Sequence, residues 1–149
     1  MNTRLRAIFL TLLFMFGMLV SVSVGAGLYF FFEPPFLSYR ELPFPTKFPA
    51  VRRGEVMPIL VTRCSTADST RTYGIAHKFV PVGWDGVEVT MKAEFASIEP
   101  GCGPTWSEIN QTSKTMQPGT YRIVGVSDAK GTVRNYAVEW WSVPFEVLP

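Results

Sequence analysis

The chain has 149 residues, 47% of them hydrophobic, with 14 basic and 12 acidic residues and a formal net charge of +2. Once a membrane-length segment is set aside, that length leaves room for one ordinary domain. All 12 acidic residues and 12 of the 14 basic ones lie beyond Phe32, so the outer part has no net charge and lacks the basic face that nucleic-acid binding needs.

Residues 1–6 form a short basic tail carrying Arg4 and Arg6, and Ala7 to Phe32 then runs 26 residues without a charge. A helix needs about 20 apolar residues to cross the roughly 30 Å hydrocarbon core, and only a helix satisfies its own backbone there. The segment 7–32 therefore predicts a transmembrane signal-anchor in the lipid bilayer. Arg4 and Arg6 stay cytoplasmic by the positive-inside rule, giving an N-in, C-out protein of the inner membrane with its domain in the periplasm or extracellular space. Tyr29, Phe30, Phe31 and Phe32 fall where an aromatic belt meets the far interface. A cleaved signal peptide is the competing reading, with Val24-Gly25-Ala26 as its small-residue site, although its apolar core normally spans only about 7–15 residues. Gly17, Ser21 and Gly25 recur every four residues, a spacing that lets two membrane helices approach closely and makes a homo-oligomer conceivable.

Residues 33–50 read as a linker. Pro34, Pro35, Pro43, Pro45 and Pro49 favour extended backbone, so the segment, starting at Glu33, reaches roughly 50 Å if fully extended. Phe36, Tyr39, Phe44 and Phe48 lie among the prolines and are expected on the membrane interface, on the domain, or in a partner's groove.

Residues 51–149 read as one all-β domain. Met57, Ile59 and Val61 alternate, with Pro58 arguing for an edge strand or a bulge. Tyr73, Ile75, His77 and Phe79 form a second candidate strand. Val87 to Phe95 is the clearest, with Val87, Val89, Met91, Ala93 and Phe95 expected inside and Glu88, Thr90, Lys92 and Glu94 outside. Trp106 to Gln111 and Val143 to Leu148 are weaker. Tyr121 to Val126 and Val133 to Trp141 are joined across Asp128-Ala129-Lys130-Gly131, read as a hairpin turn. About seven short strands with frequent turns predict an Ig-like Greek-key β-sandwich. In Pro118-Gly119-Thr120-Tyr121, the tyrosine sits where a tyrosine corner would pin a crossing connection.

The order Gly54-Glu55 before a strand, Cys64 at its end, the Gly-Pro-rich loop Pro100-Gly101-Cys102-Gly103 that places Cys102 in a loop, then Pro118-Gly119-Thr120-Tyr121 resembles small membrane-anchored Ig-like proteins of tailed bacteriophages and their prophages. The resemblance covers roughly 43–149. It implies a bacterial-envelope setting and transfers no active-site residue.

Cys64 and Cys102 are the only cysteines, and an even count on the exported side predicts a disulfide. His77 is the only histidine, so it alone could serve a hydrolase as base, and its alternation favours a structural place. No nucleotide-binding loop, CxxC pair or metal-ligand spacing occurs, so no cofactor and no metal are expected. Asn110-Gln111-Thr112 matches a glycosylation acceptor by a pattern that arises easily by chance. Trp140 and Trp141 must face opposite sides of a strand, and Trp84 occupies a turn-like tip, so Trp84, Trp140 and Trp141 are the candidate binding surface. These readings favour a non-enzymatic interaction module with an envelope protein or glycan partner, such as a lysis or superinfection accessory factor. An exported cell-wall-active enzyme and a structural virion or envelope component are the alternatives.

Overall fold

The computed structural model describes residues 3–32, 34–91, 93–108, 110–131 and 134–149; Glu33, Lys92 and Val133, which the sequence reading used, lie outside them. The chain divides into two compact units, Met1–Pro34 and Pro35–Pro149. In the first, one helix, α1, runs from Thr3 to Phe32, and Arg6–Phe32 is long and apolar enough to cross a membrane. Its hydroxyls are satisfied within the helix: Thr11 donates to the Ala7 carbonyl, Ser21 to Gly17 and Ser23 to Leu19. Back-bonding of this kind removes the cost of placing a polar side chain in an apolar helix.

The second unit is built from strands β1 Leu37–Arg40, β2 Ala50–Arg52, β3 Ile59–Ser65, β4 Arg71–Pro81, β5 Val89–Thr90, β6 Glu94–Ile98, β7 Gly101–Ser107, β8 Gly119–Lys130, β9 Asn135–Trp141 and β10 Phe145–Leu148. Strands β1, β3 and β7 form one antiparallel sheet. In the other sheet β8 and β4 pair along their length, from Tyr73 opposite Ala129 to Pro81 opposite Tyr121. Strands β10 and β9 share the far edge of β8, while β5 and β6 share that of β4. Strand β2 joins β10 in parallel, which makes this sheet mixed.

Period-2 alternation explains how both sheets bury one shared core. Tyr73, Ile75, His77 and Phe79 of β4 face Tyr121, Ile123, Ser127 and Ala129 of β8, and all are buried. Leu37, Ile59 and Val61 of the smaller sheet join the same cluster. A fully buried side chain such as Phe79 contributes roughly 1.5–3 kcal/mol. The Tyr121 hydroxyl donates to the Gln117 carbonyl at 3.0 Å, four residues upstream, tying down the entry to β8.

Four expectations are corrected. First, residues 35–50 belong to the folded unit and are no free linker. Strand β1 pairs with β3, and Phe44 is 1% exposed. Phe44 donates its N–H to the Trp141 carbonyl and accepts from Val143, while the Pro45, Pro58 and Pro49 carbonyls accept from Leu60, Lys47 and Glu146. Proline has no N–H to offer but a full acceptor, so a proline-rich run can cross between sheets by its carbonyls.

Second, Pro58 precedes β3, which is the central strand of its sheet and no edge. Third, β8 continues through Asp128–Lys130, because the alternation carries on to Ala129, which is buried opposite Tyr73. The hairpin therefore closes later, where Gly131 donates to the Arg134 carbonyl. Fourth, Cys102 lies in a strand and not in a loop, since β7 takes in Gly101-Cys102-Gly103-Pro104 and ends at Ser107.

Replacing Phe44 by alanine removes a buried aromatic and is expected to cost about 3–5 kcal/mol in urea unfolding of the full chain in detergent. A linker residue would cost nothing measurable.

Candidate interaction surface

The three singled-out tryptophans go to different places. Trp84 folds back from its tip: its Nε1–H donates to the Thr120 carbonyl at 2.8 Å, and its ring meets Tyr121 edge-on at 5.4 Å. The ring lies flat against Gly119, where a Cβ would stand 2.7 Å from it. Trp140 is 3% exposed and belongs to the core. Its Nε1–H donates to the Ser127 hydroxyl at 3.1 Å, which shares a 2.6 Å hydrogen bond with the Tyr39 hydroxyl. The indole covers Gly125, whose missing side chain makes room for it. Only Trp141 reaches solvent substantially, at 40% exposure, on the opposite face beside Val124.

A larger surface comes from a segment the alternation misplaces. Val87 to Phe95 reads as a single strand, yet the chain forms β5 and β6 with a register change between them. Lys78 pairs with Thr90, while Ile75 pairs with Glu94, so two residues of β4 span the same stretch as three on the other side. That is a β-bulge, and one extra residue exchanges the faces. Phe95 is therefore 84% exposed instead of buried, opposite Gly74, and Ala96 and Ile98 turn inward in its place; Val89 and Met91 pack against the core as expected, while Val87, ahead of β5, is 70% exposed.

On the outer face of the larger sheet, Trp141, Val124, Lys78 and Thr90 form one cross-strand row. Glu139, Val126 and Ala76 form the next row, and in the row beyond it Asp128, Gly74 and Phe95 lie side by side, with Asp128 and Glu139 exposed. A shallow, mostly apolar depression of about 210 Å³ opens among Ala76, Thr90, Val124 and Val126. Lys78 and Glu88 pair at 2.6 Å on its rim, an exposed contact worth about 0–1 kcal/mol. Phe95 and Trp141 thus reach solvent on one sheet face, and clustered exposed apolar side chains mark contact sites more often than isolated ones do. A second, smaller patch lies on the other sheet, where the Lys47 ammonium stands 5.7 Å from the Phe48 ring and 5.8 Å from that of Trp106.

Cys64 and Cys102 are joined by a disulfide between directly opposed residues of β3 and β7. Among the described residues no group of three or more His, Cys, Asp or Glu converges. Asn110 of the glycosylation-like triplet is fully buried, its amide donating to the Met57 carbonyl. Gly17, Ser21 and Gly25 lie along α1, with Gly17 and Ser21 lining a groove beside Leu13 and Phe14.

His77 is 4% exposed, stands 6.1 Å from the Trp140 ring, and has no hydrogen-bond partner on either ring nitrogen. Burial pushes its pKa below 6.5, partly opposed by the Glu94 carboxylate. The same desolvation, reinforced by the neighbouring Tyr73, holds the Tyr39 phenol far above its ordinary range.

No known protein-family model matches the chain, and no curated protein does. Solved structures that match part of the chain include a Pseudomonas fluorescens alkylpurine DNA glycosylase bound to DNA containing an abasic-site analogue, with TM-score 0.46 and 13% identity over 80% of this chain and 32% of the other. The CARDB domain of a Pyrococcus furiosus protein, solved with two metal ions, matches with TM-score 0.43 and 18% identity over 78% of this chain and 91% of the domain. A mutant β-glucosidase from Listeria innocua in complex with laminaribiose gives TM-score 0.36 and 14% identity over 76% of this chain and 16% of the enzyme. The chain thus spans about a third of the glycosylase and a sixth of the glucosidase.

Because folded His77 resists protonation, the unfolded chain takes up a proton below its ordinary pKa of 6.5 that the folded chain refuses. Stability is unaffected above that value and falls as the pH drops through it, by up to about 1.4 kcal/mol per pH unit. Urea midpoints at about pH 7.5 and 5.5 are expected to separate for the native chain and to converge for His77→Leu.

Proposed function

We infer that this protein is a single-pass, membrane-anchored interaction module whose β domain stands outside the cytoplasm and works by contact rather than covalent chemistry. The carrying observation is the outer face of the larger sheet, where Trp141 stands in solvent opposite Val124 and Phe95 stands in solvent over Gly74. A fold that turns a phenylalanine outward by a bulge accepts a solubility cost that a bound partner would relieve. The apolar helix ahead of the domain supports anchoring, and the disulfide supports an oxidising compartment.

The domain is of the Ig-like Greek-key kind. Support comes from the first strands, since β1 pairs in one sheet and β2 in the other, parallel to the last strand β10. The Tyr121–Gln117 bond is the second support. With the resemblance to phage-encoded envelope proteins, the reading narrows to an envelope accessory factor contacting a protein or glycan.

A photo-crosslinking residue at position 126 tests this in bacterial envelopes. A discrete membrane adduct is expected, and it disappears in Phe95→Ser and in Trp141→Ser. Truncating an aromatic anchor weakens a contact by about 2 kcal/mol, some thirtyfold, while an exposed substitution changes stability by under about 0.5 kcal/mol. No adduct at position 126, or an adduct indifferent to both substitutions, contradicts the assignment of this face.

A further inference from the structure

The Cys64–Cys102 disulfide lies within one sheet, between residues that a seven-pair ladder already holds together, from Ile59 opposite Ser107 to Ser65 opposite Gly101. It therefore joins no two layers, and β7 is held to β3 by that ladder as well as by the bond. The two cysteines are unequally placed. Cys64 is 5% exposed, whereas Cys102 is exposed on β7, which ends its sheet. Gly101 and Gly103 flank Cys102, and at both positions an added Cβ would meet no atom within 4 Å. An open cleft of about 470 Å³ runs past the bond, lined by Glu99, Pro100, Gly101, Cys102, Gly103 and Thr105.

We propose that Cys102 is a thiol–disulfide exchange site in the folded protein, read by a dithiol reductant of the envelope. Exchange needs a thiolate to reach a disulfide sulfur in line with the bond, and access decides which sulfur is attacked. The reductant thiolate attacks the Cys102 sulfur, forming a mixed disulfide and expelling Cys64 as thiolate, which takes a proton. The second thiol of the reductant then attacks its own sulfur in that mixed disulfide and releases Cys102. The cystine gains two electrons and two protons, and the dithiol is oxidised to its disulfide. Nothing in this step depends on the contact face of the larger sheet, so the two assignments stand or fall separately.

The full chain in detergent, treated with dithiothreitol at urea concentrations below its unfolding transition, provides the test, with free thiols counted after alkylation. Attack on the folded protein predicts a rate that changes less than about twofold from 0 to 2 M urea. If the sulfurs become reachable only on unfolding, the rate climbs about tenfold per molar urea, and the proposal fails. With glutathione as probe, peptide mapping of the trapped mixed disulfide is expected to find it on Cys102. An adduct on Cys64 overturns the assignment.

Discussion

The indole of Trp140 is the interaction on which the domain depends. It covers Gly125, stands beside His77 and Phe44, and donates to Ser127, which in turn is bonded to Tyr39 of the smaller sheet. One ring thereby connects β9, β8, β4 and β1. A buried indole N–H and a buried hydroxyl each carry a desolvation cost unless partnered, and here they satisfy one another. This arrangement fixes the orientation of the neighbouring residue as well. With Trp140 committed to the core, Trp141 must face out, because successive strand residues point to opposite sides.

The contact face follows from that commitment together with the bulge between β5 and β6. Trp141 sits at one end of the face and Phe95 toward the other, with Val124, Val126 and Ala76 between them and Lys78, Asp128 and Glu139 interspersed. A sheet face is a rigid platform, so aromatics on it lose little freedom when they bind, which favours affinity through preorganisation. The exposed disulfide belongs to the opposite sheet, on the strand that carries Trp106. The two proposals thus fall on different sheets, apolar contact on the larger and thiol–disulfide exchange on the smaller.

Much of the fold is legible in the sequence where one physical pattern dominates. The helix follows from an unbroken apolar run. Strand β4 follows from the strict alternation of Tyr73, Ile75, His77 and Phe79, and the tyrosine bond from its position after Pro118-Gly119. The split between Trp140 and Trp141 follows from strand geometry alone. The alternation through Val87–Phe95 misleads because the extra residue of a bulge leaves no mark in composition, so Phe95, one end of the contact face, reads as core. The proline-rich stretch misleads for a different reason. Proline signals a missing donor, but the partners of the Pro45 and Pro49 carbonyls lie outside the stretch, in Leu60 and, far along the chain, in Glu146. Cys102 is hidden in the same way, since Gly101, Gly103 and Pro104 look like a loop until β3 pairs with them.

The central claim is an anchored domain folded under oxidising conditions, and intact mass tests it most directly. Membrane and soluble fractions are alkylated before and after reduction and then weighed. The account predicts the mass of the 149-residue chain in the membrane fraction, with two alkylations only after reduction. A soluble product shorter by about 26 residues, the length expected for signal-peptide removal, would contradict the anchor. Two alkylations without reduction would contradict the compartment.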